Sequence, residues 1–136
     1  MVSPDQLDSE LTLRTAVARY EKLRMRDALT DENDAVSSEA DGLSQGQALE
    51  LLALSEVIAR KAAYGRQLTV RAARLAGASW SAIGQALGTS KQAAWEAHTR
   101  WIDDQARQHD ATGISGLDEL QVARARRLAG RPEDRP

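Results

Sequence analysis

Apolar residues recur at helical spacing along most of the chain, and no stretch shows the sustained alternation of a β-strand. Between about residues 5 and 28, Leu7, Leu11, Val17 and Tyr20 form an apolar stripe, and most of the basic side chains lie off it. The spacing predicts one long amphipathic helix. Because such a helix is unstable alone in water, it must pack against another element.

A second helix is predicted to begin after Ser44, with Gln47 in the position of a capping-box partner. The apolar positions within residues 49–63 cover more than one narrow stripe, which indicates burial on two sides. One side can take the first helix. The other can take the helices that follow or a second subunit.

This second helix is expected to continue to Leu75, with Gly65 as a weak point where it could bend, and to end at Gly77. Leu68, Ala72 and Leu75 are expected to face the elements that follow. Between the two helices, residues 30–43 are acidic and serine-rich, which predicts a solvated loop. A phosphorylated or partner-binding segment is the alternative interpretation of that loop.

The residues after Gly77 predict a short helix, a tight turn and another helix. Ser79 can cap the first of these helices, and Gly88 stands where a left-handed residue closes it. Ser90 can cap the next helix, along which Ala94, Ala97 and Trp101 follow at helical spacing. This is the layout of a helix-turn-helix, in which the second helix enters the DNA major groove.

The run from Ala76 to Trp95 resembles the helix-turn-helix of small bacterial DNA-binding proteins. It is closest to those of high-GC actinobacterial genomes and more distantly similar to the promoter-reading region of sigma factors. The similarity covers roughly residues 66–105 and includes Gly84 in the first helix, Gly88 in the turn and Ala94 in the second helix. The resemblance implies an all-α fold and a DNA-binding role.

The charge distribution supports that role, although the whole chain carries a net charge of −2. Residues 1–59 hold 5 basic and 12 acidic side chains, whereas residues 60–107 hold 8 basic and 3 acidic ones. The positive segment therefore surrounds the predicted helix-turn-helix. Cysteine is absent, and neither a membrane span nor a secretory signal is apparent. A cytoplasmic, nucleoid-associated protein that makes no membrane contact is expected.

The predicted recognition helix and its surroundings supply the expected contacts to DNA. Lys91 can reach a guanine edge or a phosphate, Gln92 can make a two-point contact to adenine, and Ser90 suits a phosphate. The full set of candidate DNA-binding residues is Ser81, Thr89, Ser90, Lys91, Gln92, Trp95, Thr99, Arg71, Arg74 and Arg100.

The tryptophans are expected to play different roles. Trp80 and Trp101 fall at core positions, whereas Trp95 falls on the outer face of the recognition helix. There Trp95 can touch thymine methyl groups or sugars, or it can pack against the C-terminal segment. Contact with DNA is slightly favoured.

The C-terminal segment predicts a short helix between Leu117 and Leu128, followed by a frayed tail from Gly130. Its arginines, Arg124, Arg126, Arg127 and Arg131, can touch the DNA backbone, although a solvated face is the favoured interpretation. The predicted organisation is a helical dimerisation segment (1–63), a DNA-binding domain (64–109) and the C-terminal helix with its tail (110–136).

Enzymatic chemistry is not expected. His98 and His109 are eleven residues apart on one predicted helix and cannot share a metal ion, so a structural role is expected for both. No nucleophile with its base and no phosphate loop is recognisable, and no metal or other cofactor is expected.

The leading hypothesis is sequence-specific binding of double-stranded DNA by a homodimer that acts as a transcriptional regulator. One alternative is a protein-interaction adaptor whose N-terminal half binds RNA polymerase, a sigma factor or a phage protein. The other is a nucleoid or plasmid-segregation DNA binder.

Overall fold

A computed structural model describes residues 2–31 and 42–133, and in these ranges it contains α-helices and no strand. The predicted all-α fold class is therefore confirmed for the part of the chain that is described. None of the described helices is long and apolar enough to cross a membrane. The helices are α1 (Pro4–Glu10), α2 (Leu13–Asp31), α3 (Gln45–Leu75), α4 (Trp80–Leu87), α5 (Lys91–Thr112) and α6 (Glu119–Ala129).

The chain divides into two compact units, Met1–Tyr64 and Gly65–Pro136. The boundary falls inside α3, which remains helical through Gly65. The second unit includes the C-terminal helix α6 together with α4 and α5. The acidic segment predicted as a loop, residues 30–43, lies largely outside the described residues.

The prediction of a single helix over residues 5–28 is wrong, because the chain leaves the helical conformation between α1 and α2. Leu11 is extended, with φ −114° and ψ 146°. Thr12 and Thr15 then cap α2 reciprocally: each backbone N–H donates to the other residue's hydroxyl oxygen, at 2.9 and 3.2 Å. This exchange satisfies N–H groups that a helix start leaves without intrahelical partners.

The core of the first unit is small and is built by α1, α2 and the first half of α3. Its buried members are Leu7, Ala16, Ala53, Leu54 and Val57. Two ion pairs add to the contact between α1 and α3: Arg60 with Asp5 at 2.9 Å, and Lys61 with Asp8 at 2.7 Å. The predicted capping box at the start of α3 is confirmed, since Ser44 and Gln47 exchange hydrogen bonds of 3.0 and 3.1 Å.

The core of the second unit is larger and includes both tryptophans that were predicted to be buried. Its members are Val70, Trp80, Ile83, Ala94, Trp101, Ile102, Ala125 and Ala129. The prediction that Leu68, Ala72 and Leu75 face this core is wrong, because all three are exposed. The buried stripe of α3 instead passes through Gln67 and Val70. Leu68 and Leu75 are seven apart and share a different face, about 120° around α3 from this stripe.

The end of α6 is held by side chains from three other helices. Arg74 Nε donates to the carbonyl oxygen of Leu128 at 3.2 Å, and Trp80 Nε1 donates to that of Ala129 at 2.7 Å. Trp95 Nε1 donates to the carbonyl oxygen of Gly130 at 2.7 Å, and Pro132 is buried. The prediction of a frayed tail is therefore wrong for residues 130–132, while residues 134–136 lie outside the described part.

Candidate nucleic-acid interface

The local geometry around the turn between α4 and α5 agrees with the pattern read from the sequence. Ser79 Oγ accepts a hydrogen bond from the backbone N–H of Ala82 at 3.1 Å, and Ser90 Oγ accepts one from that of Ala93 at 3.0 Å. Gly88 takes the left-handed conformation, with φ 71° and ψ 30°. Both predicted N-caps and the predicted glycine closure are therefore confirmed.

Gly84 fixes how closely α4 approaches the turn. A Cβ atom placed on Gly84 would lie 2.8 Å from the carbonyl oxygen of Thr89 and 2.9 Å from the carbonyl carbon of Ser90. Both are backbone atoms, so a larger residue would push the turn away. The carbonyl oxygen of Gly84 also accepts a hydrogen bond from the N–H of Thr89 at 2.8 Å. The absent side chain thus sets the distance between α4 and the start of α5.

One face of α5 is buried and the other is open. The buried face carries Ala94, His98, Trp101, Ile102 and Gln105. Ser90, Lys91, Gln92, Glu96 and Arg100 are exposed. On this open face Gln92 Nε2 donates to Glu96 Oε1 at 2.9 Å, which orients the Gln92 amide along the helix.

The candidate hydroxyl groups differ in their exposure and in whether they already form hydrogen bonds within the protein. Ser81 and Thr89 are exposed. Ser90 uses its oxygen to cap α5. Thr99 is only half exposed, and its hydroxyl donates to the carbonyl oxygen of Glu96 at 3.0 Å.

The candidate cations also fall into two groups. Lys91, Arg71 and Arg100 are exposed and form no hydrogen bond or ion pair with other residues in the described ranges. Arg74, in contrast, is half-buried, donates to the carbonyl oxygens of Leu128 and Ala78, and stacks 5.2 Å from the centre of the Trp80 ring. These contacts occupy the guanidinium within the second unit, so Arg74 is not expected to contact DNA.

Trp95 takes the second of the two roles considered for it. Its ring is half-buried against the core of the second unit, and its N–H donates to the carbonyl oxygen of Gly130. The indole therefore packs against the C-terminal segment. This explains how so large an apolar side chain is tolerated on the outer face of α5.

His98 is more deeply buried than its sequence context suggested, with 2% of its surface exposed. Its Nδ1–H donates to Gln67 Oε1 at 2.9 Å, and its ring stacks on Trp101 with centroids 5.4 Å apart. Burial, reinforced by the positive charges of Arg71 and Arg74, lowers the pKa of His98 to about 4. The ring is neutral near pH 7 and acts as a core residue. Its spacing from Ala94 and Trp101, four and three residues away along α5, is the signal that could have placed it on the inner face.

The C-terminal arginines are not a uniform basic surface. Arg124, Arg126 and Arg127 are all exposed, but only Arg126 forms an ion pair in the described ranges, with Asp103 of α5 at 2.7 Å. In the described part of the chain no three histidine, cysteine or carboxylate side chains are grouped so that they could hold a metal ion.

No protein family, curated protein or solved structure matches the chain.

Proposed function

We propose that the protein binds double-stranded DNA through the open face at the start of α5. The observation that carries this proposal is that a closely packed turn leads directly into an exposed helix start. Gly84 lets α4 approach the turn, and the exposed Ser90, Lys91 and Gln92 follow directly. A major groove about 12 Å wide admits one helix that presents such a face.

Lys91 and Gln92 are assigned to base edges in this proposal. Lys91 carries a positive charge with no partner in the described residues, and it can donate to guanine O6 or N7. The amide of Gln92 is held by Glu96 through one N–H, so its second N–H and its oxygen match N7 and N6 of adenine. Glu96 is the acidic member of this face and moderates the attraction to phosphate.

Ser81, Thr89, Arg71 and Arg100 are assigned to the DNA backbone, and Ser90 contributes through the start of α5. The N–H groups at a helix start attract phosphate, and exposed arginines add charge without reading sequence. Thr99 lies further along α5 and is only partly exposed, so its contribution to DNA binding is small. These contacts position the helix, while Lys91 and Gln92 supply specificity.

A single recognition helix makes few base contacts, so we propose that the protein binds its site as a homodimer. The first unit exposes large apolar side chains on α3, with Leu49 and Leu52 exposed by 47% and 66%. They lie three residues apart and so share one face. A symmetric pair would bind half-sites about one helical turn of DNA apart.

Together with DNA binding, we propose a cytoplasmic, nucleoid-associated location and a role in the regulation of transcription.

DNA binding is tested by selecting bound fragments from a genomic library and measuring their affinity by fluorescence anisotropy. The double variant Lys91→Ala with Gln92→Ala should lose sequence preference, because each base contact discriminates by about 1–3 kcal/mol. Arg107→Ala is the matched control, since Arg107 is an exposed arginine of α5 already paired with Asp104. Unchanged preference in the double variant would remove the groove assignment. No binding even at low salt would favour the adaptor alternative.

The homodimer is tested by sedimentation equilibrium at micromolar concentration. The wild-type protein should have about twice the chain mass of 14.8 kDa. Leu49→Arg with Leu52→Arg should give the monomer, whereas Leu120→Arg, at a side chain of α6 exposed by 60%, should not. A wild-type monomer would exclude the dimer and leave single-helix binding to DNA as a separate question.

A further inference from the structure

An apolar groove of about 290 Å³ lies between α3 and α4 in the second unit. Val70 and Ile83 form its floor and are 4% and 5% exposed, while Leu87 is 38% exposed at the groove. The remaining lining residues are Arg66, Thr69, Ala73 and Ala86. The groove is open to solvent on one side, so a ligand could enter it from the surface.

Water is a poor occupant of this groove. The lining is almost entirely apolar, and the Thr69 hydroxyl already donates to the carbonyl oxygen of Gly65 at 3.0 Å. Ordered water in a protein needs about two to four polar partners, which this surface does not supply. An apolar group that displaced the water would bury the exposed parts of Leu87 and Ala86 with little loss of hydrogen bonding.

One positively charged side chain lies at the groove and indicates where the polar end of a ligand would bind. Arg66 is the only charged lining residue, it is exposed, and it forms no ion pair with another residue of the described chain. A guanidinium presents a planar fork of donors that matches a carboxylate at two points. The charge therefore selects an anionic head group, and the lining selects an apolar body.

We propose that this groove binds a small amphipathic molecule with a carboxylate head on Arg66 and an apolar body of roughly ten carbon atoms. The size follows from the groove volume, because a water-sized group occupies about 30 Å³. Volumes near 300 Å³ stand at the lower end of ligand pockets.

The groove is placed where an occupant would act on α4. Ile83, Ala86 and Leu87 line it, whereas Ser81 and Gln85 are exposed and lie on the opposite face of α4 by helical spacing. A molecule wedged between α3 and α4 would therefore bear on the helix that carries Ser81. This link to DNA rests on the proposed function, but binding of the molecule does not.

The test is isothermal titration calorimetry of the full chain with decanoate, kept below its micelle concentration. We expect one molecule per chain with a dissociation constant on the order of 0.1 mM. Decanol, which lacks the charge, should bind about fivefold more weakly, and decyltrimethylammonium should bind weaker still. No DNA is present, so the result is independent of DNA binding.

Variants then locate the site. Arg66→Gln should reduce decanoate affinity to that of decanol, and Ala86→Trp should abolish binding of both by filling the groove. Arg14→Gln removes an exposed arginine of the first unit and should change nothing. Thr69→Trp is a second filling variant, and circular dichroism checks that each protein is folded.

Three outcomes would overturn the proposal. The first is no decanoate binding in the millimolar range. The second is binding that survives both Arg66→Gln and the filling variants, or that decyltrimethylammonium matches, because the molecule would then adsorb elsewhere. The third is a change from dimer to monomer caused by Ala86→Trp without any added ligand, because the groove would then be covered by a second copy of the chain.

Discussion

The indole nitrogen of Trp80, the first residue of α4, donates a 2.7 Å hydrogen bond to the carbonyl oxygen of Ala129, the last residue of α6. Both residues are buried, at 0% and 1% exposure. The last carbonyl groups of a helix have no intrahelical partner, so this bond satisfies one that water cannot reach. It makes α6 a structural part of the unit that contains the candidate interface.

Removing that donor should destabilise the second unit. We expect Trp80→Phe to lower its free energy of unfolding by about 2–4 kcal/mol, from the unsatisfied carbonyl and the smaller ring. Trp95→Phe should cost about 1 kcal/mol, because its bond to Gly130 is only half-buried. All three tryptophans lie in the second unit, so urea unfolding followed by tryptophan fluorescence reports on that unit. A loss below about 0.5 kcal/mol for Trp80→Phe would contradict the structural role.

Two glycine substitutions should have opposite effects on stability. Gly84→Ala places a Cβ atom 2.8 Å from a backbone oxygen, so we expect a loss of about 2–4 kcal/mol. Gly65→Ala places its Cβ atom in open space within a helix, so we expect a gain of about 0.5–1 kcal/mol. Chemical denaturation of the two variants beside the wild type measures both. Equal effects would show that the close contact at Gly84 is absent in solution.

The buried His98 should make stability depend on pH between about 6.5 and 4. Its pKa is lowered to about 4 by burial and by Arg71 and Arg74, so the unfolded chain takes up the proton first as the pH falls. Well above pH 6.5 both states are neutral, and there the group contributes no pH dependence. Between pH 7 and 4.5 the second unit should lose about 2–3 kcal/mol.

His98→Gln should remove this loss, whereas His109→Gln should retain it because His98 is still present. Urea unfolding at several pH values, followed by tryptophan fluorescence, measures the slope of each variant. The prediction fails if the wild type and His98→Gln have the same slope over this range.

Glu96 should weaken DNA binding through its charge. Glu96→Gln removes a carboxylate from the open face of α5 and should raise affinity about two- to fivefold at 0.1 M salt, largely irrespective of sequence. Glu21→Gln, at an exposed position of the first unit, is the control for net charge. Fluorescence anisotropy with one selected fragment and one unrelated fragment measures both. A gain restricted to the selected fragment would instead indicate that Glu96 touches a base.

The turn between α4 and α5 could be predicted from the sequence because its determinants are local. Ser79 and Ser90 cap helices through residues three positions away, and Gly88 supplies a conformation that other residues adopt only at a cost. Such signals do not depend on the rest of the fold. The break between α1 and α2 is also local, but its exchange between Thr12 and Thr15 was concealed by an apolar stripe that continues across it.

Which face of a helix is buried could be predicted less well, because the buried face depends on partners that are distant in sequence. Leu68 and Leu75 have the spacing of a buried stripe, yet α3 buries Gln67 instead, which bonds His98 thirty-one residues away. One partner of Arg74 and the partner of Trp95 are likewise carbonyl groups 54 and 35 residues further along the chain. Residue types alone do not indicate which backbone oxygen will lie within reach.

The bonds that hold the end of α6 also set an order of events during synthesis. Domains generally fold as units during synthesis, the N-terminal one first. The carbonyl groups that receive Trp80 and Trp95 belong to Ala129 and Gly130, so both indoles lack these partners until that part of the chain has been made. The pair α4–α5 therefore leaves apolar surface uncovered in the nascent protein. During that interval the uncovered apolar surface is available for binding by chaperones and for aggregation.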